Sequence, residues 1–285
     1  MSSPDAPPRP VRARRPAAAP RLRRGALFLA MVVVAVIMLY PFWVMIVDSL
    51  KSEGQFLAGH GFSWASWRTL TATIPVVQEV VSSTIICALA ITLILVVGLP
   101  AGFAFAKLRF RASGAIFLAM VSAMMVPLQA ILMPEFVNVT RLGLTGGYAG
   151  AVLVYAALGT PFSVFLFATY FRGVPDEVLE AGIVDGLGYG GALWRLIVPM
   201  AIPAIATVTV LQFIQIWDDL LVGLLFIQNT SERPITVGLA VLAAGRTTSI
   251  PALMAGSLVS AIPAMVVYLV FQRYLVKGLT MGIDR

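Results

Sequence analysis

Charge is what this sequence has least of. Asp, Glu, Lys and Arg make up 12% of its 285 residues against 59% apolar ones, and the mean hydropathy of +0.93 lies well outside the range of soluble globular domains. Cysteine and histidine occur once each, as Cys87 and His60, which excludes a disulfide framework and a multidentate Cys/His metal site, so no metal is expected. Cys87 lies in an apolar run and reads as a small packing residue. The only lysines are Lys51, Lys107 and Lys277, and none follows a glycine. A phosphate-cradling G-x-x-x-x-G-K-[ST] loop is therefore missing, so the chain is not expected to hydrolyse nucleotide or to bind a cofactor itself. No nucleophile elbow or H-E-x-x-H pattern occurs, and no catalytic residue is assigned.

What the sequence has is apolar length. A helix needs roughly 20 mostly apolar residues to cross a bilayer core. Five charge-free windows meet that need: Ala26 to Val47, Val80 to Ala106, Ala115 to Met133, Tyr148 to Tyr170 and Pro251 to Phe271. A sixth, from Ala201, is interrupted by Asp218 and Asp219 and resumes from Leu220 to Ile227; it reads as one long span holding two acids. The fold class expected is all-α, a polytopic membrane protein with six transmembrane helices. With both termini cytoplasmic, fifteen of the 20 Lys and Arg residues fall inside and five outside, as the positive-inside rule requires. The seven arginines before the first span, and with them the net charge of +7, follow from that topology, so no nucleic-acid partner is implied. Residues 1–25, rich in Pro, Ala and Arg, read as a disordered basic tail, and 26–285 as the membrane domain. The first apolar stretch is too long for a cleaved signal and lacks a small-residue cleavage site after it, so it is expected to stay as an anchor.

Between the fourth and fifth spans, at about 172–200, lies a hydrophilic stretch that parses as two short helices around a glycine break. Pro175 suits a helix start, and Asp176 and Glu177 suit the positive end of its dipole. That helix should end near Gly186 to Gly188, and a second should run from about Gly191 to a stop before Pro199. Asp176, Glu177 and Glu180 crowd one side and repel by a few tenths of a kcal/mol per pair, which a cationic partner would relieve. Ala181 and Gly182 present little bulk, so another protein can approach the backbone closely.

Glu180-Ala181-Gly182, Asp185-Gly186, Ile197, Pro199 and Pro203 resemble the E-A-A…D-G…I-x-L-P loop of permease subunits of bacterial ATP-binding-cassette importers. Tyr40-Pro41-Phe42, Ala104-Phe105-Ala106 with Leu108-Arg109-Phe110, Pro127-Leu128-Gln129, Arg141-Leu142-Gly143-Leu144, Trp217-Asp218-Asp219, Thr236-Val237-Gly238-Leu239 and Gly278-Leu279-Thr280 with Gly282 are similar to its carbohydrate branch, the maltose-transporter-like second permease. Gly182 stands where the family has alanine, Val198 where leucine is usual, and Asp218 where asparagine is frequent.

The resemblance implies an inner-membrane subunit that, with a second homologous permease, passes a sugar or related polyol inward. Two copies of a cytoplasmic ATPase would hold the ATP and Mg, and an extracytoplasmic solute-binding protein would deliver the solute. Glu180, Ala181, Gly182, Asp185, Gly186 and Pro199 would form the ATPase-coupling loop. Glu180 would meet a basic residue, the glycines would permit a close fit and a turn, and Pro199 would fix where the loop meets the fifth span. Acids at membrane depth need a cavity or a partner, so Asp218, Asp219, Trp217 and Gln129 are candidates for the solute pathway. One acid is expected toward the pathway and the other toward the companion permease or the helix end, with Trp217 as an alternative interfacial anchor. Met120, Met124, Met125 and Met133 are expected to fill gaps left by proline kinks. An ion-coupled secondary carrier, which would need no ATPase, and an importer of glycerol phosphate stay open on the residues alone.

Overall fold

A computed structural model describes residues 21–245 and 249–280, without the side chains of 21–23 and 275–280. Most of the expected tail, Arg246 and the terminal Gly282 and Arg285 lie outside the described residues. The chain forms two units, Met1–Met45 and Ile46–Arg285. The first is the greater part of α1 (Arg21–Ser49), which starts ahead of the Ala26 boundary.

In the second unit every described element is helical. After α1 come α2 (Glu53–Ala58), α3 (Ala65–Thr73) and α4 (Val76–Lys107). Ser52 caps α2, its side chain accepting from Gln55 N while the Gln55 side chain accepts from Ser52 N. The centre of the unit is α4 against α7 (Tyr148–Arg172). Gly98 and Gly102, a G-x-x-x-G pair, bring the backbone of α4 onto Ser163, Phe167 and Ala168, and a Cβ at Gly102 would lie 2.6 Å from Phe167 Cβ. Phe103, Phe167 and Phe171 fill the space beside this contact.

Between them, α5 (Ser113–Ala123) and α6 (Leu128–Arg141) meet at 102°, so the third expected span is broken at Met124–Pro127. Met124, Met125 and Met133 are exposed, Met125 with 85% of its surface free, so these three do not fill the interior as the kinks suggested, while Met120 is half-buried. Beyond α7, the loop holds α8 (Asp176–Val184), α9 (Tyr189–Ala192), a π-helical turn (Leu193–Ile197) and α10 (Val198–Met200), followed by α11 (Ile202–Asp218). Then come α12 (Leu221–Phe226), a 3-10 turn (Thr230–Glu232), α13 (Ile235–Ala243) and α14 (Ile250–Thr280), which packs on α11 and α3. Among the described residues four helices are long and apolar enough to cross a membrane, and up to six spans result if each bent pair is one.

Two local expectations change. Pro199 does not stop the second loop helix. The wide turn takes Val198 N back to Leu193 O, so the helix continues through Pro199, which has no N–H to satisfy, and bends by 77° at Ala201 instead. The sixth window is also not continuous. The helix ends at Asp218 because Asp219 turns extended and its carboxylate accepts from Val222 N, opening α12.

Candidate functional site

Two regions gather the residues singled out by the sequence. In the loop, Pro175 and Asp185 cap the two ends of α8, with Gly186 at φ +86, a left-handed turn that favours glycine. The chain then folds back, and the second helix lays Leu196 over the buried Gly182, where a Cβ would lie 2.5 Å from Leu196 Cδ1. Gly182 thus serves the packing of the two loop helices on each other rather than an outward surface. Glu180, Ala181, Asp185 and Gly186 are exposed on α8 and its turn, and Pro199 is exposed at the start of α10. The same loop also exposes the apolar side chains of Val184, with 85% of its surface free, Tyr189 and Trp194.

The crowding of acids is relieved within the chain at Asp176 alone. Lys107, the last residue of α4, donates through Nζ to Val174 O (2.5 Å) and to Asp176 Oδ1 (2.6 Å). The hydrogen bond from Lys107, and then its charge, hold the Asp176 carboxyl below the usual aspartate range. Glu177 and Glu180 have no such partner among the described residues. Tyr170 Oη donates to Met200 O (2.7 Å), tying the bend ahead of α11 to α7. The loop is therefore fastened to α4 and α7 at both ends.

The second region lies where α11 ends. Trp217 is buried, stacked on Phe213 and donating through Nε1 to Ser260 O at 3.0 Å, so it is a packing residue of the α11–α14 contact and not an interfacial anchor. Asp218 is exposed on the last turn, and Gln129 is exposed on α6. Asp219 is held: its Oδ1 accepts from Tyr155 Oη (2.9 Å) and Val222 N (2.8 Å), and its carbonyl accepts from Thr236 Oγ1 (2.9 Å). Beside it opens a cleft of about 30 Å³ between α6, α7 and α11, walled by Leu128, Tyr155, Leu158, Gly159, Gln212, Gln215, Ile216 and Asp219. Of the four pathway candidates only Asp219 lines it. Tyr155, Gln212 and Gln215 were missed, although two glutamines three apart in an apolar run form a one-sided polar signal at membrane depth.

Within α4, Glu79 is buried against Gly238 of α13, and neither carboxylate oxygen has a hydrogen-bond partner in the described structure. Nearby, Glu232 Oε2 accepts from Tyr148 N (2.9 Å) at the start of α7.

Three comparisons bear on this architecture. Residues 98–280 match the family of binding-protein-dependent transport system inner membrane components. The osmoprotective compounds uptake permease protein GgtD of Synechocystis sp. is 32% identical over 234 residues, 82% of this chain and 74% of the relative. The diacetylchitobiose uptake system permease protein NgcG of Streptomyces coelicolor is 27% identical over 258 residues, covering 88% of this chain and 85% of the relative. Among solved structures, a chain of a bacterial transporter involved in the import of the acidic polysaccharide alginate superposes with a TM-score of 0.77 at 20% identity, covering 91% of this chain and 99% of that one, which shows a shared fold. With a matched segment that contains α7, the whole loop and the cleft, the chain belongs to the family of binding-protein-dependent transport system inner membrane components, multi-pass permeases of the inner membrane.

Proposed function

We propose that this chain is one of two permease subunits of an ATP-driven importer that passes a sugar or related polyol into the cytoplasm. It performs no catalysis; two copies of a separate ATPase subunit bind ATP and Mg and dock on the loop, and an external binding protein delivers the solute. Both termini and the loop then face the cytoplasm, as the arginine distribution requires. The observation that carries the reading is the exposed surface of the loop: Glu180, Ala181 and Asp185 are exposed, as are the apolar Val184 and Trp194, on a loop anchored at both ends to spanning helices. An exposed carboxylate beside a free apolar surface suits a partner cleft holding a basic residue. Because the loop is tied to α4 and α7, force applied there reaches the spans. The solute class rests on relatives named for uptake of diacetylchitobiose and of osmoprotective compounds.

The experiment is to tag the carboxy terminus, purify the protein gently from its membrane and identify what accompanies it by mass spectrometry. A second permease and a P-loop ATPase are expected with the natural sequence, and the ATPase is expected to be lost with Glu180→Lys. A lone chain that takes up solute in vesicles without ATP would refute the reading in favour of a secondary carrier.

A further inference from the structure

The cleft beside Asp219 holds polar groups that the fold itself does not use. Gln212 is 2% exposed, yet its amide makes no hydrogen bond with any described residue, and it lies against Gly159, where a Cβ would lie 2.5 Å from Gln212 Oε1. Neither polar atom of that amide is among the fully enclosed, unpartnered ones of the described residues, so the amide is reached from the cleft and is free to hydrogen-bond with an occupant. Gly159 is the twelfth residue of the 25 in α7, which sets the cleft near the middle of that span. Gln215, one turn along α11, reaches the mouth and is exposed. Asp219 spends Oδ1 on Tyr155 and Val222 and leaves Oδ2 without a protein donor.

We propose that this cleft is a subsite for hydroxyl groups of an uncharged sugar or polyol on its way through the permease, an inference that rests on the importer reading above. Its size decides how much of the solute enters. A volume of about 30 Å³ holds roughly two water molecules, which is room for one or two hydroxyls but not for a sugar ring. Its chemistry matches hydroxyls, which both donate and accept: the amides of Gln212 and Gln215 offer both functions, and Asp219 Oδ2 accepts. Its charge selects among solutes. No Lys, Arg or His is among the lining residues, and Asp219 is acidic, so a phosphate or a uronate would enter against a carboxylate with no counter-charge. A site built on unpaired hydrogen-bonding groups discriminates strongly against solutes that cannot satisfy them.

The test uses the complete importer purified from its native membrane and reconstituted in vesicles with ATP inside. Uptake is measured with diacetylchitobiose and melibiose as neutral probes and with glycerol 3-phosphate as the anionic one. The expected result is uptake of a neutral probe, with KM raised on the order of tenfold by Gln212→Leu and by Gln215→Leu, the loss of about one hydrogen bond each. Gln215→Leu changes an exposed side chain and so separates solute contact from folding, should Gln212→Leu fail to assemble. Unchanged KM in Gln215→Leu and in Gln212→Leu, with the wild-type importer active on a neutral sugar, would overturn the subsite and leave the importer reading standing. Uptake of glycerol 3-phosphate alone would overturn the subsite and the sugar reading together.

Discussion

Gly182 tests whether the loop glycine serves the chain's own packing or the surface of a partner. Replacing it by alanine adds a Cβ 2.5 Å from Leu196 Cδ1, the far end of a flexible and half-buried side chain. Turning Leu196 off its rotamer costs roughly 0.5–1.5 kcal/mol. The alanine returns about 1 kcal/mol by favouring the helix. The two nearly cancel, so Gly182→Ala should leave the melting temperature of the purified complex and its bound ATPase unchanged. Gly182→Leu cannot be absorbed this way, since the added atoms overlap the second helix, and overpacking costs about 1–3 kcal/mol and spreads α8 from the π-helical turn. ATPase co-purification and ATP-driven uptake should both fall. Adding Leu196→Ala removes the obstructing side chain and should restore both. A double variant that still fails to hold the ATPase would show that Gly182 is needed by the partner, and the internal packing argument would be refuted.

Lys107→Met removes a charge-assisted hydrogen bond to Val174 O worth about 1.5–3 kcal/mol, so the loop should become accessible to protease while the spans stay folded. Asp176 has a folded pKa below its unfolded one, so its contribution is present above the ordinary aspartate value of about 3.9 and is lost as pH falls through the lower folded value. The difference in loop protection between the natural sequence and Asp176→Asn should therefore be constant from neutral pH down to about pH 5 and vanish only in stronger acid. Gly238→Ala places a Cβ on the Glu79 carboxylate and should block folding of α13 onto α4, with Glu79→Ala in the same chain restoring the purified yield. Trp217→Phe loses the bond to Ser260 O and should lower stability by about 1 kcal/mol in a denaturation series, with uptake retained.

Much of the architecture is written in the distribution of charge. Windows without Lys, Arg, Asp or Glu mark the spanning segments, and the acids and glycines of the loop mark its two helices because helix starts and left-handed turns have local chemistry. What escaped the sequence depends on partners distant along the chain. Asp219 ends the sixth window because Tyr155, Val222 and Thr236 hold it, and two of those three lie far from it in sequence. Pro199 is passed through because the π-helical turn precedes it, a distortion with no residue signature of its own. The acids at 176, 177 and 180 looked like a site waiting for a cation, yet one cation is Lys107, reached only when α4 and α7 pack through Gly98 and Gly102. Gln212 shows a related limit: paired with Gln215 it marks a polar side of an apolar run, but that this side is a cleft emerges only when Gly159 of α7 faces it.

The most direct test of the account is uptake of a neutral sugar by vesicles containing this chain, its companion permease, the ATPase and the binding protein, with and without internal ATP. Accumulation that requires ATP and is abolished by Glu180→Lys is the predicted result. Accumulation that continues without ATP, or that is unaffected by Glu180→Lys, would contradict it.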